Sequence, residues 1–417
     1  MGASSEASCH PRSPSPSALC YLAYPTSLTL QAANAIQAYL TVRELRLLCP
    51  DLLVIVPRFL REPSAFEEVG AVHLPRIPIG KVSRFHRSAG WHYLERSVFA
   101  WMVAAFLLFR RLFRGQRYPF IYVREVICAY WMATALRRLT GARVIYEAHE
   151  LESRNPSRAR GRLWQPVLRW LDRTLLRRAD VVVSLTATFA QEIREQGWRP
   201  AGPIAILPDA YDDLLYRPMG REQSRHALQI PSEIQAIVYS GLTFSYRGLE
   251  VLLEALARLV PRWPRLRLYL VGGRPREIAA LLEQARALGV EERVVFAGTV
   301  AREQVPFYLA AADALAIPGT VSGPSASPLK MFEYMAMERP IVSVDIPALR
   351  EVLDDRSAYF FPPQDSAALA MALEEVLGRP DQARVRATEA RRRVSAYTYR
   401  QRAEQLLDIV KTKLTTI

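Results

Sequence analysis

Short aliphatic or β-branched runs alternate with longer stretches of helical periodicity along the whole chain, a pattern that predicts parallel βα units. The runs fall at residues 19–23, 52–56, 120–123, 144–146, 181–184 and 204–207, then at 236–240, 267–271, 294–297, 314–317, 341–344 and 358–361. Several are apolar at consecutive positions, as strands covered by helices on both faces are. Between them, residues 31–48, 161–178 and 187–196 carry apolar side chains at helical spacing. The rhythm pauses at 208–231, where Pro218, Gly220 and several charges stand in place of a strand. This segment is predicted to be a linker. The expected fold class is therefore α/β, with two Rossmann-like, doubly wound parallel-sheet domains facing a cleft. The first spans 19–207 and the second 232–397; the amphipathic C-terminal helix, within 398–417, is expected to join the first.

Composition adjusts this picture little. Half of the 417 residues are apolar and 23% are charged, which excludes a largely disordered or fibrous protein. Residues 1–18 are rich in Ser and Pro, lack the apolar core of a signal peptide and are expected to form a disordered tail. The longest apolar run, 98–109, is shorter than the roughly 20 residues that span a bilayer. Flanked by Arg96, Arg110 and Arg111, it reads as a core helix or as one that touches a membrane surface, with the core preferred. Cys9, Cys20, Cys49 and Cys128 form no CxxC pair and have no His at metal-ligand spacing, so they are expected to be reduced thiols in a cytoplasmic protein.

Charge is more suggestive. The net charge of +14 is carried almost wholly by arginine, since Lys81, Lys330, Lys411 and Lys413 are the only lysines. Such a balance reflects genome composition or draws a protein to nucleic acid, anionic membrane or phosphorylated ligands. No zinc-finger spacing, RNP-like strand or glycine-rich RNA-binding loop is present, so nucleic acid is not an expected partner.

In open parallel sheets, ligands collect beyond the carboxyl ends of the strands. After the run 314–317 comes PGTVSGPSASPLKMFEYMAMERP, a Gly-, Ser- and Pro-rich loop entering a helix. Ser327 is expected as its N-cap and Pro328 as its first residue. A helix start with Lys330 in its first turn is an anion site. Glu333 is the other charged side chain among Leu, Met, Phe, Tyr and Ala, and a carboxylate there needs donors such as ribose hydroxyls. The plain alternative is an i,i+3 ion pair between Lys330 and Glu333. Arg247 opens the helix after the run 236–240 and could clamp a diphosphate. In the first half, His149 follows the run 144–146, and Arg124 and Glu125 follow 120–123. A histidine in such a turn is more often a structural hydrogen-bonder than a catalyst.

From about Leu19 to Leu414 the sequence resembles the retaining glycosyltransferases of family 4, which have the GT-B fold. The resemblance rests on SPLKMFEYMAMERPIV, YEAHELE, LLRRADVVVSLT, YSGLTFSYRGLEVLLEAL, LYLVGG, VVFAGTVAREQVPFYLAAADALAIP and YTYRQRAEQLL. It implies that Glu333 binds the donor ribose, that Arg247 and Lys330 bind its diphosphate, and that the turn around Val300 borders the base. It also implies that His149 faces the transferred sugar, and that no cofactor or divalent metal is needed. Three departures stand out. Ser325 occupies the place of a usual first glutamate, so Ser325, Ser327 or backbone N–H groups must contact the sugar. Leu242 replaces a basic residue after Gly241, and Tyr24-Pro25-Thr26-Ser27 replaces a glycine-rich turn.

The implied reaction moves a sugar from a UDP- or GDP-type donor to a hydroxyl of a glycan, a lipid-linked or a small-molecule acceptor, by front-face attack with retention. An epimerase of the same fold, or a silent partner of a working transferase, is the alternative. Arginines 84, 87, 96, 110, 111, 114 and 117, and a second group between Arg154 and Arg178, lie in the first domain. They make an anionic membrane at its cytoplasmic face a candidate partner.

Overall fold

The computed structural model describes residues 18–77, 89–154, 164–319, 325 and 327–415. The expected tail, except residue 18, lies outside these residues, as do Lys81, Arg84, Arg87 and the start of the 161–178 helix. The chain forms two units: residues up to Ser184, Ile193–Ala205 and Ala403 onward make the first, and Leu185–Glu192 with Ile206–Arg402 make the second.

Through the first sheet the elements run β1 (Leu19–Leu22), α1 (Ala33–Leu48), β2 (Leu53–Arg58), β3 (Val72–Pro75), α2 (Ala89–Arg114), β4 (Phe120–Val123), α3 (Val126–Ala133), α4 (Arg137–Thr140), β5 (Arg143–Ala148), α5 (Gln165–Arg178), β6 (Val181–Ser184), α6 (Ala187–Glu195) and β7 (Ile204–Ile206). The sheet order is β3-β2-β1-β4-β5-β6-β7. The pairings of β1 with β2 and β4, and of β5 with β4 and β6, are parallel. Strands β1, β4, β5 and β6 are almost wholly buried, as their unbroken apolar runs require. The edge strand β3 was not apparent in the sequence, because VHLP is half-exposed, polar at His73 and closed by a proline.

The second unit contains α7 (Arg221–Ala227), β8 (Gln235–Ser240), α8 (Leu249–Leu259), β9 (Leu266–Val271), α9 (Pro275–Ala287), β10 (Val294–Gly298), α10 (Val305–Ala311), β11 (Ala314–Ile317), α11 (Leu329–Ala336), β12 (Ile341–Val344), α12 (Pro347–Arg350), β13 (Tyr359–Phe361), α13 (Ser366–Gly378), α14 (Pro380–Val394) and the start of α15 (Tyr399–Thr415). Its sheet order is β10-β9-β8-β11-β12-β13. In both sheets the first strand of the unit sits between its second and fourth, the doubly wound order that opens a ligand crevice where the winding reverses. In the first unit that point lies between β1 and β4, and in the second between β8 and β11.

Two boundaries differ from expectation. Residues 208–231 are not a free linker: Tyr211, Tyr216 and Ile230 enter the core of the second unit. Arg225, 2% exposed, pairs there with Asp313 at 2.7 Å. A charged, proline-containing segment hides such packing from any periodicity argument. Residues 185–192 also sort with the second unit, where the Glu351 carboxylate accepts from the Ala187 and Thr188 N–H groups at 2.7 and 2.6 Å and caps α6. From Ala403 on, α15 belongs to the first unit, in keeping with its amphipathic sequence.

Candidate active site

At the winding reversal of the second unit, β8 ends in Ser240-Gly241 and β11 in Ile317-Pro318. Tyr334, fully buried on α11, accepts a hydrogen bond from the Ser240 N–H at 2.7 Å and so fixes α11 against the end of β8. This anchor brings Lys330 onto the turn at Gly241. The Lys330 Nζ lies 3.6 Å from the centroid of the Tyr239 ring, a cation–π contact. It would stand 3.1 Å from a Cβ at Gly241, so the missing side chain leaves room for the ammonium.

Lys330 is 8% exposed, and its Nζ has no hydrogen-bond partner among the described residues. The same holds for the buried Nε of Arg247, in the short 3-10 turn Ser245–Arg247. Burial, and then the positive charge of Arg247, hold the Lys330 ammonium well below its ordinary pKa, with Glu333 opposing. A buried ammonium near a guanidinium whose Nε is also buried, neither nitrogen having a hydrogen-bond partner among the described residues, is costly, and an anion that reaches both offsets that cost.

Gly248, which precedes α8, takes φ +70°, and a Cβ there would lie 2.6 Å from the Pro318 carbonyl oxygen. The arginine turn and the chain beyond β11 therefore pack backbone against backbone. Arg247 thus stands on a turn held by close backbone packing, and Lys330 on a helix held by the Tyr334 contact.

Glu333 lies one turn beyond Lys330. Its carboxyl is raised by burial and opposed by a hydrogen bond from the Tyr216 hydroxyl and by the charges of Arg302 and Lys330. Arg302 also holds Asp212 at 2.9 Å. Tyr216 and Arg302 were not singled out in the sequence. Tyr216 falls in the segment taken for a linker, and Arg302 lies two residues past Val300 in the turn expected to border a base. Val300 itself is half-buried against the core.

Ser327 is not the N-cap. Pro328 takes that place with extended backbone (φ −74°, ψ 127°), its carbonyl accepts the Met331 N–H at 2.9 Å, and the helix begins at Leu329. Proline can fill the cap because its own missing N–H costs nothing there, which frees the Ser327 hydroxyl to accept a long 3.4 Å contact from the Asp209 N–H. Ser325 is buried in a turn.

The first unit carries a separate cavity of about 270 Å³ at its own winding reversal, between the ends of β1 and β4, lined by Tyr24, Asn34, Arg124, Glu125, His149 and Glu152 among others. Beneath it is Glu147, a fully buried carboxylate at the end of β5. It accepts from the Tyr122 hydroxyl and from Arg124 Nε at 2.9 Å, and lies 2.8 Å from His149 Nε2. Arg124 Nη2 stands 3.1 Å from the same His149 nitrogen and donates to Gln37 at 2.9 Å. The imidazole is thus oriented from below by a carboxylate that sequence reasoning passed over; a lone acid closing an apolar run, as in RVIYEA, was the available signal. Glu125 caps α3 through the Cys128 N–H at 2.8 Å and pairs with Arg96 at 3.1 Å.

A proton linkage follows from the Lys330 environment. A bound diphosphate returns Lys330 toward its ordinary pKa, so the bound state holds more protons than the free one between the two values. Above about pH 8, where phosphate is fully ionised, nucleotide binding is expected to take up protons and to weaken as pH rises. Calorimetry in two buffers of different ionisation enthalpy measures this, and equal heats in both would contradict it.

Comparisons with known proteins agree with this layout. Residues 35–210 match the glycosyl transferase 4-like domain, and residues 234–379 match glycosyl transferases group 1. A D-inositol 3-phosphate glycosyltransferase of Nocardia farcinica (strain IFM 10152) is 28% identical over 295 residues, 67% of this chain and 64% of that enzyme. An alpha-D-kanosaminyltransferase of Streptomyces kanamyceticus is 23% identical over 252 residues, 59% of this chain and 64% of that enzyme. This chain therefore spans less than two thirds of either relative's length. Among solved structures, sucrose-phosphate synthase from Thermosynechococcus elongatus superimposes with a TM-score of 0.76 at 20% identity, covering 96% of this chain and 100% of that one. HepE of Anabaena in complex with UDP gives 0.71 at 16% identity, over 96% and 100%.

Two doubly wound parallel-sheet units with these structural neighbours define the GT-B architecture. The chain belongs to the group 1, family-4-type glycosyltransferases.

Proposed function

We propose that this glycosyltransferase takes a sugar from a UDP- or GDP-linked donor, without a divalent metal, and delivers it with retained anomeric configuration to a hydroxyl of a glycan, a lipid-linked or a small-molecule acceptor in the cytoplasm. The observation that carries the donor reading is the pair of buried cationic nitrogens, Lys330 Nζ and Arg247 Nε, that have no hydrogen-bond partner among the described residues. Facing a diphosphate, they stabilise the charge that builds on the leaving group, a contribution of several kcal/mol in a water-poor site. They supply the charge that a metal would otherwise bring. Glu333 is assigned to the ribose, Val300 to the base, and Gly241, Ser325 and Ser327 to the donor's remaining polar groups. His149, oriented by Glu147, is assigned to the transferred sugar, and Arg124 and Glu125 to the acceptor side.

In this reading the acceptor oxygen attacks the anomeric carbon on the face that the diphosphate leaves. The bond to the leaving oxygen breaks as the new glycosidic bond forms, and the leaving phosphate oxygen takes the acceptor's proton. NMR of the product made in the presence of EDTA tests both finer points. The expected linkage has the donor's configuration, with turnover unchanged by the chelator; an inverted linkage, or activity lost to EDTA and restored by a divalent ion, contradicts the reading. Conversion of the donor to an epimer without acceptor would favour the epimerase alternative.

A further inference from the structure

Helix α2 carries apolar side chains on two faces. One face, with Phe99, Val103 and Leu107, is buried in the first unit. On the opposite side Leu94, Val98, Trp101, Ala105, Leu108 and Leu112 recur at spacings of three and four, a stripe about 27 Å long at 1.5 Å per residue. Trp101 is 47% exposed, Leu112 67% and Phe113 74%. A helix of this kind is normally buried all round, yet here one side remains open.

The open face does not end with α2. Helix α3 packs against both α2 and α5. A chain of aromatic contacts crosses the three: Trp101 to Trp131 at 5.9 Å, Trp131 to Tyr130 at 5.5 Å, and Tyr130 to Trp170 at 5.8 Å between ring centroids. Trp164 and Trp170, each 58% exposed, extend the face beside α5. Indole and phenol rings of this kind favour the boundary between water and hydrocarbon, because one part of each is apolar and another donates hydrogen bonds.

The charges are of one sign. The acidic side chains on α2 to α5 are Glu95 and Asp172, and both are buried. The exposed charged side chains on these helices are arginines, including Arg111, Arg114, Arg138, Arg169 and Arg173. A second copy of the same face would set arginine against arginine, whereas an anionic bilayer complements both the charge and the apolar stripe.

We propose that the outer face of α2, α3 and α5 docks on an anionic lipid surface, with Trp101, Leu112, Phe113, Trp164 and Trp170 entering the headgroup boundary and Arg169 and Arg173 contacting lipid phosphates. This deepens the transferase reading by favouring the lipid-linked acceptor, and it rests on that reading for the acceptor alone.

The test is co-sedimentation of the full chain with vesicles of phosphatidylcholine, or of phosphatidylcholine with about one-third phosphatidylglycerol. Binding is expected to be at least about tenfold stronger with the anionic lipid and to fall with salt. The double variant Leu112→Ser/Phe113→Ser and the single variant Trp170→Ser should each lose about tenfold, and Arg169→Glu/Arg173→Glu should lose the preference for anionic lipid. Nucleotide-induced thermal stabilisation, measured on the same samples, should stay as in the parent chain and shows that each variant is folded. Equal weak binding to both vesicles overturns the proposal, as does unchanged binding by all variants. A parent dimer that Leu112→Ser/Phe113→Ser converts to monomers also overturns it, in favour of a self-association face. Loss of the nucleotide response in the parent chain, with vesicle binding intact, would instead count against the donor site.

Discussion

Replacing Lys330 by methionine is expected to raise the thermal midpoint of the ligand-free protein while removing nearly all of its stabilisation by sugar nucleotide. The Nζ is buried and makes no hydrogen bond among the described residues, and Arg247 adds like-charge repulsion. A methionine of similar length keeps the packing over Tyr239 and removes a buried charge, a gain of about 1–3 kcal/mol. In a chain of this size that amounts to a few degrees. Affinity for a diphosphate should fall by about 100-fold, the loss of one charge-assisted contact in a water-poor site.

The pH dependence has a definite sign. A lysine whose folded pKa is depressed leaves the unfolded chain holding more protons, so stability rises with pH from the folded value up to the ordinary value of 10.5. The Lys330→Met protein should lack that rise. A midpoint that drops, with nucleotide stabilisation retained, would mean that Lys330 serves the core rather than a ligand.

The second large effect is expected from Gly248→Ala. The residue takes φ +70°, and an added Cβ would meet the Pro318 carbonyl oxygen at 2.6 Å and its carbon at 2.9 Å. Both are backbone atoms that cannot swing aside. Gly289→Ala is the control, since its φ of +68° is nearly the same and nothing lies within 4 Å of its Cβ position. The control should cost about 1 kcal/mol, the usual penalty for a left-handed alanine. Gly248→Ala should cost about 3 kcal/mol or more and also weaken nucleotide binding, because Arg247 is displaced with the turn. Equal losses in the two variants, read by denaturant melts, would show that the close approach carries no weight.

Much of this fold was visible in the chain. Buried parallel strands need unbroken apolar runs, and β4, β6, β11 and β12 lie where the runs do. What escaped was packing that obeys no period. Arg225, from a stretch whose charges look solvated, pairs inside the second unit with Asp313, and β3 lies at an edge where the apolar demand is relaxed. At the site, Lys330, Arg247 and Glu333 announced themselves as charges at strand and helix ends. Their neighbours did not. Glu147 became meaningful only once Tyr122, Arg124 and His149, from β4, β5 and the turns after them, were brought around it. Ser327 misled because a serine before proline is a good cap in general, and here the proline takes the position itself.

In the proposed donor site Lys330 and Arg247 act together on a nucleoside diphosphate. Calorimetric titration of the parent chain and of Lys330→Met/Arg247→Met with a nucleoside and with its diphosphate tests it most directly. The parent is expected to bind the diphosphate far more tightly than the nucleoside, and the double variant to bind both alike at the nucleoside's affinity. A variant that keeps the full advantage of the diphosphate would contradict it.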